Sequence, residues 1–407
     1  MAYPTIIEKS GSLSATGLAK EAVFGTPVAA NTFLPMSSNT LEEDPGWFSP
    51  ALMQGVRDKQ IYNLYGESKF SGAISGPVFP SNAMELMVAS IGQDGAPGYG
   101  VTGTSPTSAT TLGALITAGT NAFTLASPTG YAVNAIMQVD TNVPGTPTTT
   151  ECRKILTLVG SSGTVDVPWV YGHANGVSVS VVVAPFAHTV NEANTLASLT
   201  VEKNIGGFQS LQFAGCRVNK FDLKAPVGNT AVEMTVDLMG QSVAVLNSPT
   251  AISIANELPF VFSEAALSIY GQARNDVTNA TVSVENGLKD TYTYSGQHGP
   301  SFITPVSLHS SGTIDVVFDS LTDSTYGDWQ RMSNGTLGAF SFTLAHPASA
   351  GTITITQPQI ALSKYGVDLK VDGIVMSSLT YEASRPLSGG SQYTVGASVI
   401  NNVYVAY

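Results

Sequence analysis

Hydrophobic and polar positions alternate over short runs along most of the chain. Val232, Met234, Val236 and Leu238 are interleaved with Glu233, Thr235 and Asp237, the period of two expected where one face of a strand is buried. Residues 281–285, 312–318, 340–344 and 352–356 read the same way, separated by Gly, Pro and Asn turns. Helical spacing is scarce. The best stretch is 81–91, with Met84, Leu86, Met87 and Ile91 apolar, and a weaker one lies within 320–332. The pattern predicts a mainly β protein with two short helices.

The alternation repeats at longer range. Ser71-Gly72-Ala73-Ile74, followed by Val78-Phe79, recurs as Ser311-Gly312-Thr313-Ile314, followed by Val317-Phe318, an offset of 240 residues from Ile74 to Ile314. Each copy runs into one of the two candidate helices. A fainter pair, 217–238 against 359–380, matches Met234 to Met376 at an offset of 142. A simple duplication has one offset, so the difference of 98 residues implies extra sequence inside the first copy. Residues 97–190 fit: they are rich in Thr, Ser, Gly and Pro, with only Asp140, Glu151, Arg153, Lys154 and Asp166 charged. The expected organisation is a first domain from 1–96 and 191–250, an inserted β domain at 97–190, a second domain at 251–386 and a C-terminal arm at 387–407. Loops are where such insertions are best tolerated.

Composition sharpens this picture. Charged residues are 11% of the chain, against about 25% in ordinary soluble proteins, yet 43% are hydrophobic, so the chain folds. A surface poor in solubilising charge implies burial against other subunits; a secreted all-β domain with a Ser/Thr-rich surface is the alternative. The net charge of −12 argues against a grip on nucleic acid, which needs Lys and Arg. It permits a channel through which nucleic acid slides.

Candidate chemistry is sparse. Cys152 and Cys216 give neither a disulfide framework nor a metal pattern and read as buried thiols. Phosphate-loop, zinc-hydrolase and serine-nucleophile motifs do not occur. His173, His188, His298, His309 and His346 are scattered, and structural roles are expected of them. No cofactor and no enzymatic activity are expected. Residues 1–15 do not read as a signal peptide and no run approaches the ~18 apolar residues of a membrane span, so folding in the cytoplasm is expected.

Two sets of motifs resemble a known family. The run Gly17-Leu18-Ala19-Lys20-Glu21-Ala22-Val23-Phe24-Gly25-Thr26-Pro27-Val28-Ala29-Ala30, continuing to Phe33-Leu34-Pro35-Met36, looks like the opening of phage tail tube proteins. Leu199-Thr200-Val201-Glu202-Lys203, then Phe213-Ala214-Gly215-Cys216-Arg217-Val218-Asn219, is similar to a hairpin of the same family. The resemblance covers roughly 12–95 and 192–385 and leaves the insert aside. It implies duplicated β-barrel or sandwich domains, each with a short helix, assembled as a structural subunit of stacked rings around a lumen for DNA ejection in the virion tail.

With the duplication, a ring of three chains is favoured over six. Tape measure, tail terminator and distal tail proteins are the implied partners, while DNA passes without specific binding and no membrane is involved. The alternative is a virion decoration or glycan-binding adhesion protein. Glu233 and Asp237, on the polar side of their strand, are candidates to face the lumen. The loop 41–65, holding Glu42, Glu43, Asp44, Trp47, Phe48, Arg57, Asp58, Lys59, Tyr62 and Tyr65, is the candidate inter-subunit loop, because aromatic and Arg residues concentrate interface energy. Segments 1–39, 41–65 and 387–407 are expected arms that order on docking.

Overall fold

The computed structural model describes residues 11–51, 57, 62–94, 102–140, 150–254, 257–323, 327–347, 351–369, 371, 373–387 and 392–404. The chain opens with strands β1 (Ala15–Lys20), β2 (Thr32–Leu34), β3 (Ser38–Asn39), β4 (Glu42–Phe48) and β5 (Leu64–Pro77), then helix α1 (Asn82–Ile91). Seven strands follow: β6 (Gly92–Asp94), β7 (Thr102–Thr111), β8 (Ala122–Thr124), β9 (Ile136–Val139), β10 (Glu151–Val159), β11 (Ser162–Val165) and β12 (Ser178–Glu192). Next come β13 (Leu199–Ile205), β14 (Gln209–Pro226), β15 (Glu233–Gly240) and β16 (Ser242–Leu246). The remainder is β17 (Ala265–Ile269), β18 (Gln272–Arg274), β19 (Val277–Glu285), β20 (Leu288–Thr291), β21 (Phe302–Pro305), β22 (His309–Val317), helix α2 (Asp328–Ser333), β23 (Leu337–Ala345), β24 (Thr352–Asp368), β25 (Met376–Ala383) and β26 (Gly396–Asn401).

A continuous antiparallel run β4–β5–β15–β14–β19–β22–β25–β24 forms the backbone of the molecule. The period-two segments explain it. Ile74 lies opposite Val236, and Val236 opposite Phe221, which in turn faces Val284. All four are buried on one side of the sheet, and burying each such side chain contributes roughly 2 kcal/mol. The other side carries the polar set. Helix α1 covers the apolar side. It is buried nearly all round through Ala83, Met84, Leu86, Met87, Val88, Ala89 and Ile91, as a helix inside a core must be, and it packs on β14 while α2 packs on β24.

Two long strands cross between layers. The first part of β14 pairs with β13 and β16, and its second part with β15 and β19. At the crossing Gly215 has φ +66°, a left-handed conformation that favours glycine, beside a register shift in the β13–β14 pairing. The strand β24 does the same, pairing first with β23 and β26 and then with β25. One apolar cluster runs from Leu18 to Val399 through both halves. Leu112, Phe123, Met137, Ile155, Trp169 and Val179 belong to a second cluster within the β7–β12 region.

Several expectations change in detail. The stretch 42–48 is the edge strand β4, not loop. Pro45 and Gly46 read as turn formers, but the pairing with β5 shifts register between Pro45 and Trp47, and proline is tolerated at a bulge on a sheet edge. The second helix occupies only Asp328–Ser333 of the region around 320–332. In the stretch given to a C-terminal arm, β26 is a sheet strand paired with both β12 and β24. In the N-terminal one, β1 pairs with β2 on one side and with β13 on the other.

Candidate functional surfaces

The uncovered face of the central sheet is polar. Glu233, Thr235 and Asp237 of β15 stand opposite Lys224, Asp222 and Lys220 of β14. Beyond them Glu285 faces Lys220, and Asp315 and Glu382 continue the face on β22 and β25. Lys69 and Lys364 lie toward the two ends, so acids outnumber lysines. Lys220 Nζ is 2.7 Å from Asp222 Oδ2, and that hydrogen bond raises the lysine pKa. Partial burial, then the nearby Asp222 carboxylate, pushes Asp237 upward. A shallow depression of about 610 Å³ opens on this face between Lys69, Ala73, Asp237 and Tyr292.

The two ends of the run are edges. Among the described residues β4 pairs with no strand but β5, and residues 362–368 of β24 pair only with β25. Glu42, Glu43 and Asp44 are exposed on β4, as are Trp47 and Phe48 at 62% and 53%. Tyr65 donates to Glu43 Oε1 at 2.7 Å; its ring lies 5.1 Å from Trp47 and 4.1 Å from His298. The structure therefore brings Glu43, Trp47 and Tyr65 together. Arg57 and Tyr62 are exposed and outside that group, while Asp58 and Lys59 lie outside the described residues. At the other edge Lys364 is exposed, and Val367 and Leu369 are 40% and 77% exposed.

Polar clusters away from these surfaces are structural. Glu151 binds Arg153 at 2.8 Å and His173 at 3.0 Å, and the amides of Val170 and Tyr171 also donate to it. His188 Nε2 lies 2.8 Å from the Val403 carbonyl. Arg274 is held between Asp276 at 2.7 Å and Asp328 at 2.9 Å. The last group was invisible in the sequence, because Arg274 and Asp328 are 54 residues apart and no motif links them. Glu85 was also missed. It sits in α1 at 7% exposure, and desolvation raises its pKa from 4.5 to about 7 against the pull of Thr32 and Lys20. Cys152 and Cys216 are buried thiols outside any disulfide. Among the described residues no group of three His, Cys, Asp or Glu side chains is placed to hold a metal, and no helix is long and apolar enough to cross a membrane.

A family model described as phage tail tube protein matches residues 11–383. No curated protein matches the chain.

Proposed function

The chain belongs to the phage tail tube protein family, as a structural and non-enzymatic component of the virion tail, and from that membership we propose how it builds the tube. The reading is a duplicated subunit, three copies of which close a ring; rings stack around a lumen that carries DNA. One observation carries it: an antiparallel sheet with a covered apolar face, an acidic polar face and, among the described residues, a strand with one unpaired edge at each end. An open edge is a template for another chain, and closure into a barrel removes it.

The pairing pattern supports the duplication. The pairs β1–β2, β1–β13, β13–β14, β14–β16, β14–β15, β15–β5 and β5–β4 recur as β17–β18, β17–β23, β23–β24, β24–β26, β24–β25, β25–β22 and β22–β19. The repeated Ser-Gly-x-Ile motif has a packing reason at both sites. A Cβ on Gly72 would lie 2.5 Å from the Leu41 Cα, and one on Gly312 would lie 2.2 Å from the Thr281 carbonyl. Each glycine thus lets the neighbouring chain approach. The strands β6–β12 leave the repeat between α1 and β13. Since α1 covers the apolar side, this module stands away from the polar face, which supports an exterior position.

In this reading Glu233 and Asp237 face the lumen. A DNA conduit needs a wall without strong phosphate contacts: one lysine–phosphate contact in water contributes on the order of 1 kcal/mol, and repetition around every ring would sum to a brake. The aromatic group of Trp47 and Tyr65, with Phe48, is the proposed subunit contact. Tape measure, tail terminator and distal tail proteins are the proposed partners at the tube's core and ends. Negative-stain microscopy of the purified protein and of virion tails tests the reading. Hollow striated tubes with three chains per ring are expected, whereas monomers at high concentration and no annular layer in the tail would overturn it.

A further inference from the structure

Building on that ring-forming reading, we infer that adjacent subunits join through antiparallel pairing of β24 in one copy with β4 of a second copy, in a register that sets Lys364 opposite Asp44 and Tyr365 opposite Glu43. The template lies inside the chain. Where the two halves meet, β14 pairs with β19 from Lys220↔Glu285 to Pro226↔Asn279. The unpaired edges at the ends of the run are the counterparts of these two strands. The outer part of β24 relates to β25 and β22 as β14 relates to β15 and β5, and β4 relates to β5 as β19 relates to β22.

The register transfers residue by residue. Across β14, β15 and β5 the aligned set is Phe221, Val236 and Ile74; across β24, β25 and β22 it is Tyr365, Leu379 and Ile314. Tyr365 therefore stands for Phe221. On the other strand Val284 faces Ser310, and Glu43 faces Phe70; Ser310 and Phe70 differ by the same 240 residues as Ile314 and Ile74. Glu43 therefore stands for Val284, and Phe221↔Val284 within the chain becomes Tyr365↔Glu43 between chains.

Two observations that did not enter the alignment agree with it. The transferred register puts Lys364 against Asp44, both exposed and of opposite charge, as Lys220 stands against Glu285 at the internal seam. It also keeps faces matched. Lys364 and Asp44 lie on the polar side, each opposite a polar-face residue, Thr380 and Lys69. Val367 and Leu41 meet on the apolar side, which removes the half-exposed Val367 from water. A slip of one residue would set polar positions against apolar ones.

Cross-linking in assembled tails tests the register, since both native thiols are buried. Full-length Asp44→Cys and Lys364→Cys chains are mixed and oxidised. Directly opposed strand positions are within disulfide reach, so a covalent dimer is expected at about ten-fold the yield of Asp44→Cys mixed with Val367→Cys. The double variant Asp44→Cys/Lys364→Cys should give closed covalent rings. As a second measurement, Lys364→Glu should lower the assembled fraction and Asp44→Lys in the same chain should restore it. Rings that form by microscopy without the 44–364 cross-link, or with a better one out of register, overturn this seam and leave the ring reading standing. Absence of rings from the wild-type tail overturns that reading itself.

Discussion

Glu85 is the residue at which charge and packing conflict most openly. Its carboxyl lies in the core helix with a pKa raised by burial from 4.5 to about 7, and one carboxylate oxygen has no hydrogen-bond partner. A raised acid pKa means that the folded protein holds its proton where the unfolded chain has lost it. The penalty is absent below pH 4.5, grows as pH rises to about 7 and is then constant. At one pKa unit per 1.36 kcal/mol, it amounts to a few kcal/mol. Glu85→Gln is therefore expected to stabilise the protein at pH 8 and to flatten the rise in stability between pH 7 and 4.5, as read from urea denaturation across that range. No feature of the sequence around Glu85 announces this. Its place on a helix is readable from the spacing of its neighbours, and only the packing of strands around α1 makes it dry.

At the scale of elements, strands with one dry face were legible because alternation is a local property. β15, β19, β22 and β23 all lie where the period of two put them. The strand β4 was not, because Pro45 and Gly46 carry a local turn signal that a bulged edge pairing overrides. Neither was the partnering of β12 with β26, nor the Arg274–Asp328 cluster, since both join residues far apart in sequence. The change of texture at 97–190 sets that segment apart in composition, and an apolar cluster from Leu112 to Val181 lies within it. Gly103 lies beside Val182, so a short turn can bridge them. Replacing residues 104–181 with a four-residue Gly/Ser linker is expected to leave tube assembly intact, with thinner tubes in electron micrographs; loss of assembly would assign the module a role in the tube wall.

For the whole molecule, the polar face of the central sheet is the proposed lumen wall. The sequence pointed to Glu233 and Asp237 through alternation alone; the remainder of that face, from Lys220 to Glu382, is assembled by pairings the sequence does not display. Replacing Glu233 and Asp237 with lysine is expected to leave tubes assembled and to slow genome release, measured as DNA ejection triggered in vitro from otherwise normal virions. Since each added contact contributes on the order of 1 kcal/mol before screening, the slowing should relax at high salt. Unchanged release at low salt would move these side chains away from the DNA path.

The pairing of β12 with β26 also sets a timetable for biosynthesis. His188 bonds to the carbonyl of Val403, 215 residues later. At translation rates of 5–20 residues per second, the earlier strand waits roughly 10–40 s for its partner to leave the ribosome. Through that interval a nascent polypeptide displays an open margin that the finished one conceals, so a ribosome stalled short of β26 would hold a product prone to sticking to its neighbours.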